Sequence, residues 1–173
     1  MGEKNMTIYQ TYIISFIVEN KPGVLYKISN MFRRRNFNIE SLTVGPTEHD
    51  NFARMTIKVK GDKDTIEQLT KQTNKLIDII KVTILDKKNT VMREIALIKI
   101  FTADSKTRSE IIQYVDVFRG HIVDVSPESL IVEMTGDPDK INAFIDLSRP
   151  FGIKELARTG VTALTRGRGD NKK

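Results

Sequence analysis

The residues that could form a binding site lie together in residues 18–32, VENKPGVLYKISNMF. An apolar run there gives way to a helical pattern, and the segment contains no histidine, no cysteine and no pair of carboxylates. Gly23 stands where the chain must turn from strand to helix, and a residue without Cβ lets a ligand approach the backbone. The first N–H groups of a helix lack partners within the helix and lie at the positive end of its dipole. This pattern predicts a site that binds a carboxylate or phosphate, and no catalysis.

Two asparagines and several aliphatic residues complete the predicted site. The amide of Asn20 can donate and accept hydrogen bonds, and Asn38 lies at the start of the next predicted strand. Together with the helix N-terminus they could hold the carboxylate and ammonium groups of a free amino acid. The aliphatic residues that would surround a branched side chain are Val18, Val24, Leu25 and Ile39. A purely structural interpretation is also open, in which Pro22 and Gly23 shape the turn and Asn20 caps the helix.

The two histidines offer the main alternative for chemistry. His49 lies in a polar loop and His121 enters a predicted strand, with no cysteine and no second ligand at metal-binding spacing. Asp124 follows His121 by three residues, which on a regular strand puts the two side chains on opposite faces. We therefore predict neither an active site nor a metal site.

The charge balance raises the possibility of an anionic partner. The 28 lysines and arginines exceed the 22 acidic residues, giving a net charge of +6. Much of this excess lies in Arg33 to Arg35 and in the tail from Arg166, which we interpret as a helix C-terminus and a solvated end. An RNA-recognition motif stacks bases on aromatic residues of its central strands. The predicted strand ARMTIKVK has none, so we expect no nucleic acid partner.

Composition also suggests the compartment. The chain has no cysteine, which excludes disulfides and is compatible with a reducing environment. The first ten residues lack the apolar core of a signal peptide, and no apolar run is long enough to span a membrane. We expect a cytoplasmic protein that does not cross a membrane.

The elements that position the predicted site follow the order βαββαβ. Residues 12–18 predict a buried strand, and apolar residues at helical spacing predict a helix from Val24 to Phe32. Residues from Asn38 predict a second strand, with a loop from Gly45. In ARMTIKVK apolar and polar residues alternate, which indicates a sheet with one half-exposed face. A second helix and a strand from Ile77 complete an antiparallel sheet with both helices on one face, the ferredoxin-like arrangement.

The second half of the chain repeats this order. The best internal match sets VKGDKDTI against MTGDPDKI, with Gly61-Asp62 and Gly136-Asp137 separated by 75 residues. This period predicts an α+β protein of two tandem ferredoxin-like βαββαβ domains, residues 8–86 and 92–166, with a flexible basic tail at 167–173. The second copy has TADSKTR where the first has ENKPGV, so we expect the two loops to differ in function.

Four blocks of the chain resemble the regulatory, or small, subunit of acetolactate synthase: VENKPGVLYKISNMFRRRNFNIESLTVGPTE, ARMTIKVKGD, VFRGHIVDVSPESLIVEMTG and ARTGVTALTRG. The resemblance covers residues 12–167. It implies that the first copy is an ACT domain, which pairs across a dimer interface and binds an amino acid there, usually valine, and that the second copy is ACT-like. Carried over by position, the effector-binding residues are Asn20, Lys21, Pro22, Gly23, Val24 and Leu25, with Asn38 and Ile39 from the neighbouring chain.

The resemblance also implies partners. Such a subunit activates a separate catalytic subunit that holds thiamine diphosphate, Mg²⁺ and FAD, and it carries no catalytic residue, metal or cofactor itself. A homodimer or higher oligomer is expected. Tyr26 and Lys27 stand where the family commonly has a small residue and an arginine, and Gly45 where it has alanine. An ACT-type amino-acid sensor for another enzyme is the alternative.

Overall fold

The computed structural model describes residues 9–102 and 104–167 and divides the chain into two compact units. Within the described ranges, one unit comprises the residues up to Val91 together with those from Ala163 onward. The other comprises Met92–Thr162. Residue 8 of the predicted first domain and the predicted tail from residue 168 lie outside the described residues.

The first unit is an antiparallel sheet with two helices. Its elements are β1 (Gln10–Glu19), α1 (Val24–Arg34), β2 (Ile39–Pro46), β3 (Phe52–Gly61), α2 (Lys63–Thr73) and β4 (Ile79–Ile84). The sheet order is β2-β3-β1-β4, so β2 and β4 are its edge strands. This is the predicted ferredoxin-like topology. Strand β2 extends through Gly45 and Pro46, so the prediction of a loop from Gly45 is wrong for these two residues.

Alternation along β1 and β3 divides this sheet into two faces. Ile14, Phe16 and Val18 of β1 lie in the hydrophobic core, which also contains Met55 and Ile57 of β3. The helices contribute buried residues at intervals of three to four, as the periodicity predicted. These are Val24, Ile28 and Phe32 of α1 and Ile66, Leu69 and Thr73 of α2. The prediction that one sheet face packs under the helices is confirmed.

The side chains on the opposite face of this sheet are less exposed to solvent than the alternating sequence pattern predicts. Arg54 and Lys58 are half-buried, as expected for a polar face. Thr56, between them on β3, is only 2% exposed, and Ser15 beside it on β1 is 4% exposed. This face therefore combines buried hydroxyl groups with cationic side chains.

After β4 the chain builds a second sheet. The elements are a 3-10 turn (Lys87–Asn89), β5 (Thr90–Phe101), α3 (Ser105–Val117), β6 (His121–Ser126), β7 (Ser129–Gly136), α4 (Pro138–Ser148), a second 3-10 turn (Arg149–Phe151), β8 (Ile153–Arg158) and β9 (Thr162–Thr165). The strand order β6-β7-β5-β8 repeats that of the first sheet. The unpredicted strand β9 pairs with β5, and the Arg166 N–H donates to the Asn89 carbonyl at 2.8 Å.

Both copies end their first helix in the same way. Asn36 after α1 and Arg119 after α3 have φ angles of 56° and 52°, in the left-handed region. The next residue in each copy donates its N–H five residues back: Phe37 to Phe32, and Gly120 to Val115. This is the Schellman arrangement that closes a helix C-terminus. The internal repeat read from the sequence is therefore a structural repeat.

A bulge in β6 changes one expectation. The pairing of β6 with β7 shifts between Ile122 and Asp124, because one extra residue is inserted there. His121 then pairs with Glu133 and Asp124 with Ile131, two positions that lie on the same face of β7. The prediction that His121 and Asp124 lie on opposite faces is wrong, because a single inserted residue reverses the alternation.

Candidate functional site

The loop between β1 and α1 turns at a glycine in a conformation that other residues adopt with strain. Gly23 has φ 85° and ψ −10°, in the left-handed region, and is the N-cap residue of α1. A Cβ built on Gly23 would have no heavy atom within 4 Å, so the space beside it is open. The glycine is therefore required by the backbone angle and not by crowding.

The N-terminus of α1 differs from those of the other α-helices. Helices α2, α3 and α4 have Asp62, Asp104 and Asp137 as their N-cap residues, each of which accepts a hydrogen bond from a first-turn N–H. No side chain caps α1. The Gly23 carbonyl accepts from the Lys27 N–H at 3.0 Å, which closes the backbone turn. The Val24 N–H donates to the Lys21 carbonyl at 3.5 Å. Among the described α-helices, α1 is thus the one whose next first-turn N–H groups, those of Leu25 and Tyr26, are not bonded to a capping side chain.

The pKa values of two capping aspartates show that a helix N-terminus in this chain favours a negative charge. The Thr65 N–H that bonds Asp62 holds the pKa of that carboxyl below its usual value. The Thr107 N–H does the same to the pKa of Asp104. Both shifts follow because a helix N-terminus stabilises a negative charge. A free carboxylate at the start of α1 would be stabilised in the same way.

Asn20 is bound to the β2–β3 loop and not to the helix. Its backbone N–H donates to the Asn51 carbonyl at 2.8 Å, and its side-chain Nδ2 donates to the Asp50 carbonyl at 3.4 Å. Asn20 does not cap α1, so the structural interpretation open at the sequence level fails on this point. The side chain is exposed at the edge of the loop.

The two lysines next to the loop each form an ion pair with a carboxylate of the same chain. Lys21 pairs with Glu19 at 2.8 Å, and the hydrogen bond to this carboxylate raises the pKa of Lys21. Lys27 pairs with the buried carboxylate of Asp78. Because both ammonium groups have carboxylate partners, the open backbone N–H groups are the better candidates for holding an anionic ligand.

The aliphatic residues of the predicted site divide between core and surface. Val18 and Val24 are buried in the hydrophobic core, with 0% and 3% exposure, so neither side chain is open to a ligand. Leu25 is 42% exposed and its neighbour Tyr26 is 71% exposed. Ile39 packs partly against the core.

Asn38 and Ile39 lie in a different place from the loop. They line a cavity of about 320 Å³ between the outer face of α1 and the start of β2. Its other lining residues are Tyr26, Ser29, Asn30, Phe32, Arg33 and Phe37. Residues 20–25 do not take part, so one chain does not bring the two predicted halves of the site together. The only sign of this cavity in the sequence is that Tyr26, Ser29 and Arg33 recur at helical spacing.

The corresponding corner of the second unit is filled by its own arginine. The Thr102 N–H donates to the Glu128 carbonyl at 3.0 Å, the counterpart of the bond made by Asn20. Arg108 of α3 donates to Thr102 Oγ1 at 3.3 Å and to the Ser126 carbonyl at 2.8 Å. This corner is therefore closed by protein groups. No sequence signal singled out Arg108, because its partners are backbone carbonyls of a distant turn.

The described residues also bear on metal binding and on membrane spanning. Residues 9–102 and 104–167 hold no group of three histidine or acidic side chains placed to bind a metal ion. His49 stacks edge-on against Phe52 with ring centroids 6.3 Å apart. None of the helices in this part of the chain has the length and apolar character that a membrane span requires.

Comparison with known proteins gives two adjoining family matches. Residues 14–81 match the family described as an AHAS small subunit-like ACT domain. Residues 93–167 match the family described as the small subunit of acetolactate synthase. The two matches coincide with the two sheets.

Relatives match over nearly the whole chain. The probable acetolactate synthase small subunit of Methanothermobacter thermautotrophicus is 57% identical over 157 residues, which cover 91% of this chain and 94% of that protein. The acetolactate synthase small subunit of Mycolicibacterium smegmatis is 49% identical over 157 residues, covering 91% and 92%. The crystal structure of the acetolactate synthase small subunit from Thermotoga maritima superimposes with a TM-score of 0.83 at 46% identity, covering 92% of this chain and 99% of that chain. The chain therefore belongs to the family of acetolactate synthase small subunits, with an ACT domain as its first unit.

Proposed function

We propose that this small subunit activates a separate acetolactate synthase catalytic subunit and makes it sensitive to feedback inhibition by a branched-chain amino acid, chiefly valine. The observation that carries the proposal is the uncapped N-terminus of α1 at Gly23. It offers an open set of oriented N–H donors in the domain whose family binds amino acids.

Each part of a zwitterion has a partner at this loop. The carboxylate binds the first-turn N–H groups of α1, where the dipole and the missing cap favour a negative charge. The ammonium group binds oxygen acceptors at Asn20 and the adjoining β2–β3 loop. Leu25, which is 42% exposed, contacts the aliphatic side chain. Lys21 and Lys27 remain paired with Glu19 and Asp78 and do not compete for the carboxylate.

The second half of the site comes from another copy of the chain. Asn38 and Ile39 lie outside the loop of their own chain, at the start of β2, which is an edge strand of the first sheet. An edge strand presents unpaired N–H and C=O groups that can pair with a second copy. Pairing there would carry Asn38 and Ile39 to the partner's loop and would make effector binding depend on the dimer.

In this proposal, catalysis takes place on the separate catalytic subunit. Thiamine diphosphate, Mg²⁺ and FAD would bind the catalytic subunit, where the thiamine diphosphate would supply carbanion stabilisation. The residues described here offer no fit to the metal, because they contain no group of three histidine or acidic ligands. The roles of this chain in the proposal are to bind the effector and to contact its partner.

Calorimetric titration of the full chain with L-valine, and with D-valine as control, tests the proposal. Saturable heat with L-valine alone is expected, because the loop holds the carboxylate and ammonium groups in a fixed arrangement around one chiral carbon. Asn38→Ala should weaken this binding, and Asn74→Ala, at an exposed asparagine after α2, should leave it unchanged.

Two outcomes would contradict the proposal. Equal heats for both enantiomers would exclude an oriented zwitterion site. Absence of L-valine binding both in the free chain and in its complex with the catalytic subunit would exclude valine as effector. Isoleucine and leucine are tested alongside, because one methylene in an apolar pocket changes affinity by only about 1–3 kcal/mol.

A further inference from the structure

The face of the first sheet that points away from its helices carries ordered rows of polar side chains. Ser15 on β1 lies opposite Thr56 on β3 and Thr83 on β4. In the next row, Ile17 lies opposite Arg54 on β3 and Lys81 on β4. The antiparallel pairing thus sets a row of hydroxyl groups beside a row with two cations.

A cavity of about 280 Å³ opens over these two rows. Its lining residues are Ser15, Ile17, Arg54, Lys81, Thr83, Leu85, Leu164 and Thr165. All eight belong to the first compact unit, in which β9 contributes the last two. None of residues 20–25 lines it, so the cavity is separate from the β1–α1 loop.

The two cations of the cavity lack carboxylate partners. In the described ranges neither Arg54 nor Lys81 forms an ion pair, whereas Lys58 on the same face pairs with Glu40 at 3.5 Å. No lining residue is acidic. Arg54 is held in place by a bond from its Nη1 to the buried Ser15 Oγ at 3.2 Å. The cavity therefore has a positive potential and a fixed guanidinium.

We propose that this cavity binds a small anion that bears a phosphate group. A guanidinium fork matches the geometry of phosphate oxygens, and an ammonium group supplies a second positive charge. Arg54 and Lys81 stand two strand spacings apart, about 10 Å between their Cα atoms, so both side chains can converge on one ligand over Ile17. Thr83 and Thr165 add hydroxyl donors.

The size and surface of the cavity narrow the ligand class. Its volume lies just below the range of about 300–1,000 Å³ that is usual for drug-sized ligands, which favours a compact molecule. Leu85 and Leu164 give it an apolar side where a short carbon chain can rest. Binding of single-stranded RNA relies on aromatic stacking platforms, and the lining residues include no aromatic ring.

Calorimetry on the full chain, with inorganic phosphate and with glycerol 3-phosphate at constant ionic strength, tests the proposal. Saturable binding of either probe is expected. Tighter binding of the ester would assign the site to a phosphorylated metabolite, and tighter binding of phosphate would assign it to the free ion. Arg54→Gln and Lys81→Gln should each weaken binding by about tenfold to a hundredfold, as loss of a charged hydrogen bond does.

Lys60→Gln is the matched control. Lys60 is an exposed lysine on the same face of β3 as Arg54, and it lies outside the cavity. Its substitution removes the same charge and should leave binding unchanged. Lys81 is exposed, so Lys81→Gln provides a test that does not depend on how the half-buried Arg54 tolerates replacement.

Several results would overturn the proposal. These are no binding of either probe at millimolar concentration, an equal loss with Lys60→Gln, or no loss with Arg54→Gln and Lys81→Gln. Binding of single-stranded RNA that both cavity variants abolish would instead assign the face to nucleic acid. L-valine titration of the same variants separates this site from the effector loop, because Lys81→Gln should leave valine binding intact.

Discussion

Replacing Gly23 by aspartate is expected to abolish inhibition by valine while activation of the catalytic subunit is retained. The new carboxylate would lie beside the first-turn N–H groups of α1, where the effector carboxylate binds in the proposed function. At a separation of about 4 Å, two negative charges repel by about 1 kcal/mol in bulk water and by about 4 kcal/mol at an effective dielectric constant of 20. The concentration of L-valine needed for inhibition should therefore rise by about fivefold to several hundredfold.

Two further variants separate charge from backbone strain. An alanine at φ 85° costs about 1–2 kcal/mol, because its Cβ disfavours the left-handed region. Asparagine tolerates this region better and has the shape of aspartate without its charge. A Cβ at position 23 would meet no heavy atom within 4 Å, so crowding at Cβ does not distinguish the three variants. The difference between Gly23→Asp and Gly23→Asn then measures the electrostatic contribution.

The assay is acetolactate formation by the reconstituted enzyme. Activation at saturating small subunit is measured first, followed by inhibition as a function of L-valine concentration. If Gly23→Asp were inhibited at the same L-valine concentrations as the unmodified chain, the effector carboxylate would not lie at this helix and the site assignment would be refuted.

Three other perturbations have defined outcomes. Asp62→Ala should lower the unfolding temperature at neutral pH. Because the pKa of Asp62 is depressed in the folded state, the difference in unfolding temperature should be fully present above the ordinary aspartate pKa and should disappear as pH falls through the folded-state pKa. A pH-independent difference in thermal melts would contradict this prediction. Arg158→Ala should destabilise the second unit by about 3 kcal/mol in denaturant unfolding, because it leaves the Glu94 carboxylate, whose side chain is only 3% exposed, without its ion pair. Replacing both residues by leucine should lower the free energy of unfolding by less, and an equal loss would contradict the reasoning. Arg108→Ala should lower the stability of the second unit but leave L-valine affinity unchanged in calorimetry, and a changed affinity would show that the second corner takes part in effector binding.

The fold could be predicted largely because local patterns and global topology agree. The alternation in β3 placed Met55 and Ile57 in the core and Arg54 on the other face, as observed. The repeated Gly-Asp step marked the starts of α2 and α4, where Asp62 and Asp137 cap the first turn. Each of these signals acts over a few residues, which is why one sequence was enough to read them.

The features that escaped prediction depend on distant partners or on an inserted residue. Arg108 acts through carbonyls of the β6–β7 turn, and a carbonyl has no signature in sequence. The bulge between Ile122 and Asp124 reversed the expected faces of β6. Leu76 lies beyond the end of α2 at Thr73 but packs against the core, because a turn can place an apolar side chain there as a helix does.

The turn at Gly23 could be predicted from sequence, but the contacts of Asn20 could not. Gly23 was singled out because a strand-to-helix turn favours a residue without Cβ, and its left-handed backbone agrees with that reasoning. Whether Asn20 capped the helix depended on the position of the β2–β3 loop, which accepts its hydrogen bonds from 30 residues away. The assignment of residues 20–25, Asn38 and Ile39 to an effector stays a prediction.

An open helix end also links the binding equilibrium to the folding equilibrium of the first unit. In the proposed function, valine serves as the missing cap of α1, so it stabilises only the folded form of that unit. At a ligand concentration of 100 times the dissociation constant the stabilisation is about 2.7 kcal/mol. In the second unit Arg108 closes the corresponding corner, so the proposed function places no effector there. Cellular valine would then set how long the first unit resists unfolding and proteolysis, so that the abundance of the regulator would follow the metabolite to which it responds.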